Sequence, residues 1–433
     1  MKRAKDNNVA VIGLGYVGLP VALICAENGY NVFGIDLDKE KLKKIKKGTS
    51  PFKEDFIQRR KEWLKKIAVS DKGDKIKKAD IVVVCVPTPV DKNFYPNLKP
   101  IISATKMIIE NINKGQLVII ESTVNPGVCE EVIEPIFKEA GLKEGRDYYL
   151  AHCPERIDPG KSRFSKGFDL VNTNRVVGAM SKKGLKRAVN FYESILSGEV
   201  RPMKSIRAAE AVKIVENSFR DINLAFVNEL ARSFDRMGID VKDVIEGAAT
   251  KPYSFMPHWP SCGVGGHCIP VDPYYLIERA KEGGFDHKLL RMARETNNEM
   301  PSYTVELLQD ALNELKLPLK GVTIGIMGLA YKPNVDDTRE SPSFKIMDLL
   351  EEKGAKVVTY DPLVPGKSTV KDLKTFLKKS TAVIFATEHQ EFLEMDLGDF
   401  KKYGVLAIID GKNYLDSEKI KALGINYHGI GRA

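Results

Sequence analysis

The sequence predicts an α/β protein in which two doubly wound, Rossmann-like domains are joined by a long central helix and a helical dimerisation domain. Three observations carry that prediction. Short β-rich apolar runs alternate with helical stretches in the first half of the chain, the same alternation resumes after Pro318, and a proline-free amphipathic stretch lies between them at 205–237. At 433 residues the chain exceeds what one hydrophobic core organises, and the expected divisions are 1–203, 204–318 and 319–433.

Residues 9–12 read as a buried strand, 17–29 as a helix and 31–35 as a second strand that ends in Asp36. The apolar run 9–26 follows Lys2, Arg3 and Lys5, yet Gly13, Gly15, Gly18 and Pro20 interrupt it where a strand should turn into a helix. It therefore reads as neither a signal peptide nor a membrane anchor. Runs at 81–86, 117–120, 148–151 and 175–178 extend a parallel sheet. In the helix at 205–237, Ala208, Ala211, Val212, Val215, Phe219, Ile222, Phe226 and Leu230 recur at three- and four-residue intervals and form one apolar face. That face is wider than one packing partner needs, so part of it is expected to bury against a second subunit. Lys213, Asn217 and Arg220 line up on the opposite face, which is either an ordinary solvated surface or, because Asn is a weak choice inside a helix, a functional one. The stretch 238–318 is helix-rich. A strand at 322–327, a turn at 328–333, a helix at 341–353 and strands at 356–360, before Asp361, and 382–386 then repeat the N-terminal topology.

The formal charge of +9 is spread through mixed Lys/Glu segments, without a basic arm for nucleic acid or an acidic tail. A mildly basic surface suits anionic small substrates. Six cysteines scattered through so long a chain do not make a disulfide scaffold and point to a reducing cytoplasm.

Gly13-x-Gly15-x-x-Gly18 follows a strand and opens a helix, with Asp36 closing the next strand, which is the context a dinucleotide fingerprint requires. The glycines, with Tyr16 and Val17 between them, let a pyrophosphate approach the helix N-terminus, and Asp36 is expected to accept both ribose hydroxyls of NAD and to repel the 2′-phosphate of NADP. Thr88 and Thr123 sit just past strand ends, either as cofactor contacts or as simple loop hydroxyls. Glu155 and Arg156 follow the strand at 148–151, where Glu155 is a candidate general base and a surface ion pair is the alternative. Gly263-Val264-Gly265-Gly266-His267-Cys268-Ile269-Pro270-Val271-Asp272-Pro273 sets a cysteine in a glycine-flanked turn with an acid four residues on, and reads as a displayed, reactive thiol. The alternatives are a flexible loop and a metal clip of His258, Cys262, His267 and Cys268, whose adjacent ligands at 267 and 268 fit zinc spacing poorly; no metal is expected.

With the fingerprint, Pro154-Glu155-Arg156, Lys213 and Asn217 on one helix, the cysteine segment and Asp337-Thr338-Arg339-Glu340-Ser341-Pro342 in this order, the chain resembles the UDP-glucose/GDP-mannose dehydrogenase family over nearly its whole length. The resemblance implies oxidation of the C6 primary alcohol of a nucleotide sugar to a carboxylate, with two NAD. It implies that Lys213 and Asn217 stabilise the alkoxide, that Cys268 forms a thiohemiacetal and then a thioester, and that Glu155 and Asp272 assist its hydrolysis. It also implies that Arg339 reaches the NAD and that Arg156, Ile157, Arg220, His258, Gly265, Tyr331 and Lys332 bind the UDP-sugar beside Glu155, Lys213 and Asn217. Lys412 stands where the family often has an arginine, and lysine cannot make a bidentate phosphate contact. The cysteine segment resembles the branch acting on UDP-N-acetylhexosamines. Residues 251–255 and 298–301 lean toward the gluco epimer and 151–157 toward the manno epimer. The competing readings are a UDP-glucose 6-dehydrogenase, a two-electron alcohol dehydrogenase, and a non-catalytic NAD or nucleotide-sugar binding protein. The expected partners are the UDP-sugar and a second copy of the chain, with no nucleic acid and no membrane.

Overall fold

A computed structural model of the chain describes residues 7–52, 54–91, 95–156 and 167–432. The chain divides into two compact units. One runs to Glu216 and includes Tyr274–Gly284; the other comprises Asn217–Pro273 and the residues from Phe285 onward.

In the first unit, β1 (Asn8–Ile12), β2 (Asn31–Ile35), β3 (Ile67–Ser70), β4 (Ile81–Val84), β5 (Gln116–Ile120), β6 (Tyr148–His152), β7 (Arg175–Ala179) and β8 (Val200–Pro202) form one sheet in the order β3-β2-β1-β4-β5-β6-β7-β8. Beyond Asn8 and Gln116 at their first positions, the central strands β1, β4 and β5 are apolar throughout because helices cover both faces. Val9, Val11, Ile81, Val83, Leu117 and Ile119 point into one core, and Ala10, Ile12, Val82, Val84, Val118 and Ile120 into the other. β3 and β8 are absent from the sequence reading: β3 is four residues long, and β8 is three residues closed by Pro202, as befits an edge. One expectation is corrected. The run at 175–178 does not extend a parallel sheet from β6; β7 pairs antiparallel to it, with Ala151 opposite Ala179 and His152 opposite Gly178.

The long helix spans Ile206–Met237, and its apolar stripe is not the side that the protomer buries. Val215, Phe219 and Phe226 are 56%, 48% and 52% exposed, whereas Asn217, from the supposedly opposite face, is 5% exposed. The buried side carries Ile214, Ser218, Asp221, Ala225 and Asn228 instead. Polar groups inside a helix interface need partners, and they have them. Asn228 Nδ2 donates to Asn297 Oδ1 at 2.8 Å, Asn297 donates to Asp221 Oδ1 at 2.8 Å, and Arg294 donates to Asp221 at 2.5 Å.

In the second unit, β9 (Thr323–Met327), β10 (Lys356–Tyr360), β11 (Ala382–Phe385), β12 (Ala407–Asp410) and β13 (Asn426–Gly429) form a parallel sheet in the order β10-β9-β11-β12-β13. Its first turn copies the fingerprint turn of the other unit. Gly328 N–H donates to Tyr360 O at 2.9 Å, as Gly13 N–H donates to Ile35 O at 2.8 Å. The aspartates that follow differ: Asp361 is fully buried, accepting backbone N–H groups from Leu329, Ala330, Leu363 and Val364 and facing His389 at 3.1 Å. With its oxygens so occupied, this turn offers a ribose nothing. Among the described residues no helix is long and apolar enough to cross a membrane.

Candidate active site

The fingerprint turn fits a dinucleotide. Gly13 has φ +89°, and a Cβ there would stand 2.5 Å from the Cys85 carbonyl oxygen; at Gly18 a Cβ would stand 1.9 Å from Gly13 O. Turn and helix therefore approach as closely as bare backbone allows. Gly15 faces open space and no side chain caps the following helix, Gly18–Glu27, whose Leu19 N–H donates back to Gly15 O and whose Val21 N–H donates to Val17 O, both at 3.2 Å, so the helix N-terminus opens directly onto the glycine turn. Tyr16 packs on Phe52 with ring centroids 4.3 Å apart, and Val17 packs against the core. Asp36 departs from expectation in one respect. Its Oδ2 already accepts Leu14 N–H at 2.8 Å and Lys41 Nζ at 2.7 Å, and Oδ1 accepts Asp38 N–H at 2.9 Å. It can take both ribose hydroxyls only if Lys41 withdraws, because a carboxylate has about four lone-pair sites.

Further along this sheet edge, Thr88 Oγ1 donates to Thr123 O at 2.7 Å, and Thr88 O accepts the Tyr275 hydroxyl. The two threonine loops are thus bonded to each other. Glu155 is not part of a surface ion pair with Arg156. It is buried against Arg175, whose Nη2 lies 3.0 Å from its carboxylate and whose Nη1 donates to Pro154 O at 3.2 Å. The antiparallel register explains this: continuing the His152–Gly178 pairing by three residues sets Glu155 opposite Arg175. Arg156 instead bonds Glu216 at 2.5 Å and Asn174 O at 2.8 Å. Ile157 lies outside the described residues.

In the second unit the cysteine loop is held from several sides. Asn228 Oδ1 accepts Ser261 N–H at 2.9 Å, Cys262 N–H donates to Gly411 O at 2.8 Å, and Gly266 N–H donates to Arg339 O at 3.0 Å. The glycines answer to the turn that follows β9. A Cβ at Gly265 would stand 2.7 Å from Tyr331 Cβ, and one at Gly266, where φ is +91°, 2.8 Å from the Tyr331 ring. Cys268 is the one cysteine of the six that is not buried. Its carbonyl accepts Asp272 N–H at 2.8 Å, the first turn leading into the helix Asp272–Glu282. The Asp272 carboxylate, itself buried, accepts Asn217 Nδ2 at 2.5 Å. The backbone turn from Cys268 thus leads into Asp272, whose side chain is bonded to Asn217.

Lys213 is half-buried one helical turn before Asn217. His258 is buried, with Nδ1 3.0 Å from Met256 O and its ring edge-on to Phe219; burial first, and Arg220 beside it, keep its pKa below the usual histidine value. Arg339 forks onto Asp337 at 3.0 and 2.5 Å, and that bond first raises its pKa. Tyr331 and Lys332 are half-buried in the turn after β9. Burial pulls the Lys412 pKa down, but Glu388, 4.0 Å away, and Cys262 more than offset this and hold the amine charged. Among the described residues no cluster of His, Cys, Asp and Glu is arranged to hold a metal. Cys262 points its thiol at Ala386 O instead.

Sequence reasoning missed Arg175, because its only signal is a lone charge inside the β-rich run 175–178. It also missed Tyr331 as the wall against which the loop glycines close.

Residues 7–196 match the NAD binding domain, 207–299 the central domain and 325–417 the UDP binding domain of the UDP-glucose/GDP-mannose dehydrogenase family. The chain is 38% identical to the UDP-N-acetyl-D-mannosamine dehydrogenase of Pyrococcus horikoshii, over 98% of its own length and 99% of the relative's. It is 32% identical to the UDP-N-acetyl-D-glucosamine 6-dehydrogenase of Pseudomonas aeruginosa, over 96% and 99% of the two chains. The solved structure of the UDP-D-ManNAc dehydrogenase from Pyrococcus horikoshii matches with a TM-score of 0.91 at 37% identity, covering 98% of this chain and 99% of that one. With all three family domains matched in order along one chain, the protein belongs to the UDP-glucose/GDP-mannose dehydrogenase family of nucleotide-sugar oxidoreductases.

Proposed function

We propose that the chain is an NAD-dependent UDP-N-acetylhexosamine 6-dehydrogenase that takes the C6 hydroxyl to the carboxylate. The observation that carries this reading is Cys268, the one cysteine that is not buried, set in a turn whose backbone leads to the bonded pair Asp272 and Asn217. A simple alcohol dehydrogenase has no use for such a thiol. Relatives named for the manno and the gluco N-acetyl sugars support the substrate class.

NAD, when bound, accepts hydride from C6 at each of the two oxidations. Lys213 and Asn217 stabilise the alkoxide as the alcohol is oxidised. The Cys268 thiol then adds to C6 of the aldehyde: the C6–S bond forms, the carbonyl π bond opens and its oxygen takes the thiol proton, giving a thiohemiacetal whose remaining C6–H leaves as hydride while the hydroxyl proton is released, which leaves a thioester. Water attacks the thioester carbonyl, oriented or deprotonated by Glu155 and Asp272, and the C6–S bond breaks to free the thiol. In the first domain Gly13, Gly15, Tyr16, Val17, Gly18, Asp36, Thr88 and Thr123 hold the NAD, and Arg339 contributes from the UDP-binding domain. Arg156, Arg220, His258, Gly265, Tyr331 and Lys332 bind the sugar nucleotide. The working divisions are 1–203, 204–318 and 319–433. Free, mostly buried cysteines support action in a reducing cytoplasm, and the exposed apolar stripe of the long helix supports a homodimer.

The test is the number of NADH formed per sugar consumed, run in parallel with UDP-N-acetylglucosamine, UDP-N-acetylmannosamine and UDP-glucose. The expected result is two NADH with one N-acetyl sugar, and a loss of at least about 10³-fold in kcat for Cys268→Ser. One NADH would remove Cys268 from the mechanism. Turnover of UDP-glucose alone would overturn the sugar assignment.

A further inference from the structure

We propose that Glu121 is a buried tuning residue that sets the basicity of Glu155 through Arg175, the guanidinium that Glu155 contacts directly at 3.0 Å in the same buried cluster. The inference rests on the assignment of Glu155 to thioester hydrolysis.

Glu121 follows β5, Glu155 follows β6, and Arg175 opens β7, so three neighbouring strands deliver them to one place. All three side chains are buried. Glu121 Oε1 accepts the Tyr192 hydroxyl at 2.5 Å and Oε2 faces the Cys85 thiol at 3.5 Å. The groups around it are Cys85 from the end of β4, Cys153 and Glu155 beyond β6, Arg175 from β7, Tyr192 from the helix Lys182–Ile195, and Cys25 from the helix Gly18–Glu27. Burial pushes the thiols and the phenol well above their usual range, so they stay neutral. The charge of the cluster is therefore decided by two carboxyls against one guanidinium. A buried cluster disfavours net charge, so one proton is retained. Glu155 makes the direct contact with Arg175, which leaves that proton on Glu121. Burial holds the Glu121 pKa up at about 7; Arg175 opposes the rise and Glu155 adds to it. When Glu121 releases its proton to water, one guanidinium must balance two carboxylates. Less of its field then acts on Glu155, which becomes the stronger base.

The experiment measures kcat and KM against pH for the full chain and its variants. In the unmodified protein kcat should step between two plateaus, roughly three- to tenfold apart, since coupling of about one pKa unit is a factor of ten at most. The step should centre at about 7. Glu121→Gln should abolish the step and leave KM unchanged, and a step that persists in this variant overturns the proposal. Glu155→Gln separates the underlying reading: it should lower kcat at every pH by about 10²-fold or more. If it retains full kcat, Glu155 is not in the mechanism, whatever Glu121 does. Should Glu121→Gln fail to fold, Tyr192→Phe removes a hydrogen bond that favours the charged form, so the midpoint should move to higher pH. A role in packing alone would leave the midpoint where it was, and that result too overturns the proposal.

Discussion

His152 closes β6 with its ring enclosed, and neither ring nitrogen has a hydrogen-bond partner. Burial drives its pKa down to about 3, whereas burial drives that of Glu121 up to about 7. The two act on stability with opposite signs. For His152 the folded pKa lies below the ordinary value of about 6.5, so its neutral ring stabilises the fold above that value and the contribution is lost as pH falls. For Glu121 the folded pKa lies above the ordinary value of about 4.3, so the folded chain keeps a proton that the unfolded chain releases, and stability declines as pH rises through that window. Each slope is at most about 1.4 kcal/mol per pH unit. The melting temperature of Glu121→Gln, measured relative to the unmodified protein, should therefore increase between about pH 5 and pH 7 and level off above it. A difference independent of pH would mean that Glu121 does not change protonation there. At this scale the sequence was legible where a motif carries its own neighbours, as in Gly13 to Gly18. It was silent on Arg175, whose partner lies 20 positions away in sequence.

The elements of the cysteine loop show why local pattern indicated a turn without explaining it. Glycines at 263, 265 and 266 announced unusual backbone, but the walls they meet are Tyr331, Glu340 and Pro342, remote in the chain. Alanine at Gly266 must adopt a left-handed conformation, costing about 1–2 kcal/mol, and push its Cβ against the Tyr331 ring. Because displacing a reacting group by about 1 Å can cost roughly 10²-fold, Gly266→Ala should lower kcat by about 10- to 100-fold. NAD affinity should hold, since the fingerprint turn belongs to the other unit. Gly247→Ala is the control. That position lies in the helix Val241–Ala249 with open space where the Cβ would go, so activity should persist and stability rise by about 0.5–1 kcal/mol. An unimpaired Gly266→Ala variant would show that the loop does not need its observed geometry. The long helix teaches the complementary lesson: periodicity fixed its extent to within a residue, but hydrophobicity misled on which face is inside.

At the scale of the whole molecule, that misreading becomes an expectation about assembly. Val215, Phe219 and Phe226 are large, apolar and about half exposed along one helix, which water disfavours unless another surface covers them. A second copy of the chain is the expected cover, and equilibrium sedimentation should give twice the mass of one chain. Phe226→Asp should weaken the dimer by about 10- to 100-fold, since burying such a side chain contributes about 1.5–3 kcal/mol. A one-chain mass for the unmodified protein would refute the assembly. The sequence by itself determined the paired α/β domains, the central helix, the dinucleotide turn and the displayed cysteine, because each is written in residues close together along the chain, as period, glycine spacing or strand-end position. Only the tertiary structure decided that Glu155 is buried on Arg175, that Lys41 occupies Asp36, that Tyr331 closes the cysteine loop, and that polar residues of the long helix face inward. Those depend on strand direction and on contacts between distant segments, and a run such as 175–178 reads the same whether it pairs parallel or antiparallel.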